Sequence, residues 1–155
     1  MSTVALEITC TGAVQGVGFR PHAFRIALRH GVAGWVRNQS GGVVIHVEGP
    51  ESAVTRFVCD LEASTPASAP PLCLDQRSRS PLGLDDFVIG VSQSAGSLDI
   101  TLPFDRDWCD DCAREFSDPG DRRYGYSFIN CTGCGPRYTL IEALPYDRAN
   151  TTMSA

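Results

Sequence analysis

The chain has 155 residues, 43% hydrophobic and 20% charged, with a formal net charge of −5 at neutral pH. That length admits one domain or two small ones, and the apolar fraction is enough for a core. The acidic balance argues against a nucleic-acid binder, whose affinity rests on basic surface, and no apolar run approaches the roughly 18 residues of a membrane span. All 13 basic residues are Arg, a bias better assigned to genome composition than to function. The opening residues Met1–Glu7 lack the basic and apolar regions of a signal peptide. Cysteine number is odd, at 7, and four of them cluster. Without a secretory signal, that pattern predicts a reduced, cytoplasmic protein with a metal site.

In chain order, Val4–Cys10 alternates apolar and polar residues and predicts a strand. The loop GAVQGVGFR, residues 12–20, follows. Gly16 and Gly18 admit backbone angles closed to other residues. The loop can therefore turn the N–H groups of Gln15, Gly16, Val17, Gly18, Phe19 and Arg20 toward one anion, aided by the N-terminus of the next helix. Arg20 adds a planar fork suited to phosphate. The same composition also suits a plain strand-to-helix turn. Pro21–His30 predicts a helix, with Pro at its first position and Gly31 at its end. His22, on the first turn beside the loop, is expected on the helix surface.

Ala33–Asn38 and Val43–Val47 predict a hairpin around Gly41 and Gly42. Val43, Ile45 and Val47 share one face, and His46 on the other is expected to be solvated. Glu51–Ala63 predicts a second helix, with Val54, Phe57, Val58 and Leu61 as its apolar stripe. Pro66, Pro70 and Pro71 end it. Asp86–Val91 predicts the last strand. The order β-α-β-β-α-β is the ferredoxin-like split βαβ motif, an α+β fold. Residues 1–91 then form the first domain. Residues 92–100, small and polar, form a linker, and residues 101–155 form a second module.

That module holds Cys109, Cys112, Cys131 and Cys134 in the pattern C-x2-C-x18-C-x2-C. The spacing predicts a tetrahedral four-cysteine zinc site in which two knuckles each offer two sulfurs. Four cysteine ligands leave no open position, so the ion is structural, and binding it drives folding of a segment with little apolar content. Residues 101–155 contain nine acidic residues against six Arg, which weighs against nucleic acid as their partner. Cys10, Cys59 and Cys73 fall outside the spacing and are expected as buried free thiols.

The blocks VQGVGFR and GWVRNQSGGVVIHVEG resemble the acylphosphatase signature over roughly residues 4–91. The resemblance implies that Arg20 binds the substrate phosphate and that Asn38, eighteen residues on, positions the attacking water. Together with the cysteine spacing and CTGCGPRYTLIEALPYDRANTTM, the whole chain is similar to the N-terminal part of HypF-type hydrogenase-maturation carbamoyltransferases. Members of that family continue with a second four-cysteine ribbon, an ATP-binding domain and a carbamoyl-transferring domain. The resemblance implies carbamoyl phosphate or another acyl phosphate as substrate, and a HypE-type protein as partner. No ATP site is evident in these residues, so only the first hydrolytic step is expected of them. Two alternatives remain at this level. One is a non-catalytic fragment that binds carbamoyl phosphate and docks a partner; the other is a zinc-ribbon protein that binds nucleic acid.

Overall fold

The computed structural model describes residues 2–39, 42–64, 73–92 and 105–154. The N-terminal alternation forms β1 (Thr3–Thr11), and the loop after it enters α1 (Phe19–His30). Then come β2 (Ala33–Gln39), β3 (Gly42–Pro50), α2 (Glu51–Ala63), β4 (Cys73–Arg79) and β5 (Phe87–Ile89). The sheet order is β4-β1-β3-β2-β5, antiparallel except for the parallel β2–β5 pair. The first four of these strands and the two helices make the expected ferredoxin-like fold, with β5 added at one edge. Residues 40 and 41, the prolines after α2, and most of the expected linker lie outside the described residues.

One face of the sheet carries the core. Ile8, Val36, Val43, Ile45 and Val47 meet Phe19, Ile26, Val54, Phe57 and Leu61 of the two helices, all nearly excluded from solvent. Burying each such side chain contributes about 1.5–3 kcal/mol, which holds the helices against the strands. The stripe expected on α2 is thus the one that packs.

Three local expectations need correction. First, α1 begins two residues before Pro21: Gly18 is its N-cap, and the Gly18 carbonyl accepts the His22 N–H at 3.0 Å. Pro21 sits at the third helical position, where the missing N–H has no intrahelical partner to lose. Arg20 is therefore on the first turn rather than before it. Second, β4 has no counterpart in the sequence pattern, because CLDQRSR shows no apolar alternation and is exposed from Asp75 onward. It is an edge strand held by its ladder to β1, from Thr11↔Cys73 to Ala5↔Arg79. Third, His46 is buried, at 4% exposure. Its ring stacks on Trp35 at 5.9 Å, and its Nε2 donates to Glu48 at 2.7 Å.

Glu48 also accepts the backbone N–H groups of Leu82 and Leu84, each at 2.7 Å. It therefore clamps the segment before β5 onto the polar face of the sheet. Burial acts to raise its carboxyl pKa, but the His46 and backbone hydrogen bonds outweigh this and hold it at about 2. The cysteines outside the cluster divide. Cys10 is buried and burial pushes its thiol up, as expected of an inert core residue. Cys59 is exposed, because it lies off the packed stripe of α2. The side chain of Cys73 lies outside the described residues.

Candidate active site and metal centre

Between β1 and α1 the backbone takes positive φ three times, at Gly12 (φ 110°), Gly16 (φ 76°) and Gly18 (φ 74°). Val14, Gln15, Val17 and Phe19 are buried around these turns and anchor the loop to the core. The N–H groups of Gln15 to Gly18 donate to no backbone carbonyl among the described residues. The expected donors are thus free of the backbone ladder, at the N-terminus of a 12-residue helix.

Gln15 does more than its sequence context implies. Its side chain is buried, and Nε2 donates to the carbonyls of Gln39 and Gly42, both at 3.1 Å. The amide thereby ties the loop to the β2–β3 turn. Asn38, near the end of β2 and 1% exposed, is the neighbour this tie positions. The Asn38 Nδ2 donates to the carbonyl of Tyr146 at 3.2 Å, and its Oδ1 is buried with no partner. A buried acceptor in that state is costly unless a ligand or water donates to it.

The C-terminal module supplies the other wall. After Cys109 the chain enters α3 (Asp110–Ser117), and the second knuckle closes with Gly135 N–H donating to Cys131 O at 2.8 Å. The four Sγ atoms lie within 4.8 Å of one another, with close pairs at 3.5 and 3.8 Å. A tetrahedral ion with sulfur ligands at about 2.3 Å needs edges of about 3.8 Å, so the donor set fits one ion. Burial and the neighbouring sulfurs push the Cys112 thiol up, and a divalent cation reverses that cost by binding the thiolate. The surrounding core is small, chiefly Ile129 and Phe116 against the sulfurs. Arg137, which sequence reading missed, is also buried here. It donates to Cys134 Sγ at 3.0 Å, to Ile129 O at 3.0 Å and to Arg106 O at 2.6 Å. Its charge offsets that of the thiolates.

The second knuckle packs on the glycine loop. A Cβ on Gly18 would stand 2.6 Å from the Thr132 methyl, and one on Gly16 would stand 3.0 Å from Pro136. Beyond the knuckle, Tyr146 N–H donates to Gln15 Oε1 at 2.8 Å. Arg20 Nη2 donates to Asp147 Oδ1 at 2.5 Å, and Arg20 Nη1 to Ser92 Oγ at 3.3 Å. A cavity of about 540 Å³ results, lined by Gly16, Gly18, Arg20 and Asn38 from one side and by Tyr146, Asp147 and Arg148 from the other. Of the predicted loop residues, Gly16, Gly18, Phe19 and Arg20 line the cavity together with Asn38, whereas the side chains of Gln15 and Val17 are buried away from it; the predicted cysteines gather separately beside them. His22 turns away to Ser64 Oγ, at 3.2 Å. Tyr146 and Asp147 lie inside the block CTGCGPRYTLIEALPYDRANTTM, but nothing local in it marks either as part of a phosphate site.

A glycine loop with a helix-borne Arg, and an Asn on the strand that follows that helix in a ferredoxin-like sheet, together define a class. The chain belongs to the acylphosphatase family, which it matches over residues 6–88. Residues 108–141 match the HypF finger, and the combination is that of the N-terminal part of HypF-type carbamoyltransferases. Carbamoyltransferase HypF2 of Cupriavidus necator is 43% identical over 158 residues, which cover 98% of this chain and 19% of that protein. An acylphosphatase of Thermotoga maritima is 42% identical over 86 residues, covering 55% of this chain and 94% of its own. A crystal structure of full-length HypF in the phosphate- and nucleotide-bound form matches with a TM-score of 0.87 at 41% identity, over 99% of this chain and 20% of that one. The chain therefore spans about a fifth of the length of the carbamoyltransferases it matches. Among the described residues, no helix is long and apolar enough to cross a membrane.

Proposed function

We propose that this chain hydrolyses acyl phosphates, with carbamoyl phosphate the preferred substrate, as the N-terminal portion of a carbamoyltransferase. In that role it acts in the cytoplasm, in the pathway that makes the cyanide ligand precursor of [NiFe] hydrogenases, with a HypE-type protein as partner of the longer enzyme. Residues 1–91 are the hydrolytic domain, 92–100 a linker, and 101–155 the zinc module. Cys109, Cys112, Cys131 and Cys134 hold the zinc ion, which supplies structural cross-linking of the two knuckles.

The observation that carries this reading is that Arg20 and Asn38, whose buried Oδ1 has no partner, line one cavity. The N–H groups of Gln15, Gly16, Val17, Gly18, Phe19 and Arg20 bind the phosphoryl oxygens, and the Arg20 guanidinium grips two of them. Asn38 Oδ1 accepts a hydrogen bond from a water and aims its lone pair at phosphorus. The water oxygen bonds to phosphorus as the bond from phosphorus to the acyl oxygen breaks. The leaving group departs as a carboxylate or carbamate, and a phosphate oxygen takes the water's proton. A stable leaving anion makes acid assistance unnecessary. Catalysis then rests on positioning and charge stabilisation.

The test is phosphate release from carbamoyl phosphate and benzoyl phosphate by the zinc-loaded chain. Arg20→Ala and Asn38→Ala are each expected to lose about 10²–10³ in rate. Arg20→Lys is expected to fail as well, because an ammonium lacks the fork. Near-full activity in a folded Asn38→Ala protein would remove the water-positioning role. The occupation of Arg20 by Asp147 favours a second reading, a fragment that binds the ligand without turnover. Tight ligand binding with no phosphate release would select it.

A further inference from the structure

Asp147 is anchored over the phosphate loop by the residues that build the site. The Tyr146 N–H is held by Gln15 Oε1 at 2.8 Å, and the Tyr146 carbonyl by Asn38 Nδ2 at 3.2 Å. The next residue, Asp147, meets Arg20 at 2.5 Å with one carboxylate oxygen and accepts the Ser92 hydroxyl with the other. Its side chain is 28% exposed and lines the same cavity as Arg20 and Asn38.

A carboxylate in that place is a liability for anion binding. When a phosphoryl group takes the Arg20 fork, Asp147 loses its cation partner and faces a dianion, with only the Ser92 hydroxyl left. A largely buried carboxylate in that state is unfavourable unless a donor reaches it. Acyl phosphates differ in whether they bring one. Acetyl and benzoyl groups carry no N–H, whereas a carbamoyl group carries two beside the carbonyl. Asp147 lines the cavity from the wall opposite the glycine loop, so an acyl group directed away from the loop would meet it.

We propose that Asp147 is a specificity-determining residue: its carboxylate accepts a hydrogen bond from the carbamoyl N–H and so disfavours acyl phosphates that lack a donor. This rests on the acyl-phosphate reading of the cavity. It adds that the selective group comes from the segment beyond the metal centre, not from the acylphosphatase fold.

The experiment compares kcat/KM for carbamoyl phosphate and acetyl phosphate in the zinc-loaded wild type, Asp147→Ala and Asp147→Asn. In Asp147→Ala the preference for carbamoyl phosphate is expected to fall about tenfold to a hundredfold, through slower carbamoyl turnover with acetyl turnover unchanged or faster. Asp147→Asn keeps the size of the side chain and one acceptor oxygen, and is expected to fall between the two. A rise of both substrates by one factor would overturn the proposal and make Asp147 a plug on Arg20. An equal fall would also overturn it, leaving Asp147 only to orient Arg20. If the wild type releases no phosphate from either substrate, the hydrolytic reading fails by itself. The calorimetric Kd ratio of the two ligands, in wild type and Asp147→Ala, then reads the same selectivity, and an unchanged ratio overturns the assignment.

Discussion

Gly18→Ala probes the contact on which the coupling of the two modules depends. Gly18 has φ 74°, and its Cβ would stand 2.6 Å from Thr132 Cγ2 and 3.2 Å from Thr132 Cβ. Two costs follow. Left-handed backbone costs a residue with a side chain about 1–2 kcal/mol. Forcing a methyl group against a packed neighbour costs about 1–3 kcal/mol more. The sum, about 2–5 kcal/mol, is a large part of the stability of a small domain. Denaturant unfolding of the zinc-loaded chain measures it, with phosphate affinity read in parallel. The two costs separate in a Thr132→Ala background. That change removes the methyl at 2.6 Å but leaves the Cβ at 3.2 Å, so part of the steric cost is recovered and the backbone cost remains. A Gly18→Ala penalty of the same size in both backgrounds would refute the reasoning, because the knuckle would then not bear on the loop.

Removing the metal with a chelator is expected to free the four clustered thiols for titration and to weaken phosphate binding together with them. Thr132 and Pro136 of the second knuckle are what pack against Gly18 and Gly16; phosphate affinity unchanged after all four thiols react would separate the two sites. Glu48→Gln keeps the shape of the clamp but leaves one of its donors unsatisfied, at a cost of about 1–3 kcal/mol by thermal or denaturant unfolding. Its pH dependence has a definite sign. The Glu48 carboxyl lies at about 2 in the fold, below its ordinary value of 4.5. Its contribution is therefore fully present above about pH 4.5 and is lost as pH falls toward 2. The wild type is expected to lose that stability across this window, and Glu48→Gln to lack that part of the slope; identical acid profiles would show that the clamp does not depend on the charge.

Much of this protein was legible in one dimension. Gly16, Gly18 and Arg20 marked a candidate anion loop because backbone freedom and a guanidinium are properties of residue type. The cysteine pairs marked a four-sulfur cluster, which the structure brings together, because ligand spacing is local. The 3.6-residue stripe of α2 placed that helix to the residue. Other features depended on what the rest of the chain covers. His46 alternates outward from the core face, which predicts solvent; the Trp35 ring and the segment pinned by Glu48 bury it instead. β4 has no apolar signal because an edge strand is specified by the ladder on β1 that receives it.

The site divides in the same way. By itself the sequence singled out the glycine loop, Arg20, Asn38 and the four clustered cysteines as candidates, since each is encoded within a short window by conformation or ligand chemistry; that Arg20 stands on the first helical turn was decided by the structure. Only the tertiary structure decided that Asp147, 127 residues away, meets Arg20, and that Tyr146 is pinned between Gln15 and Asn38. No local pattern carries such a pairing. It follows from the place where the second cysteine knuckle packs on the glycine loop, which sets the path of the chain beyond it.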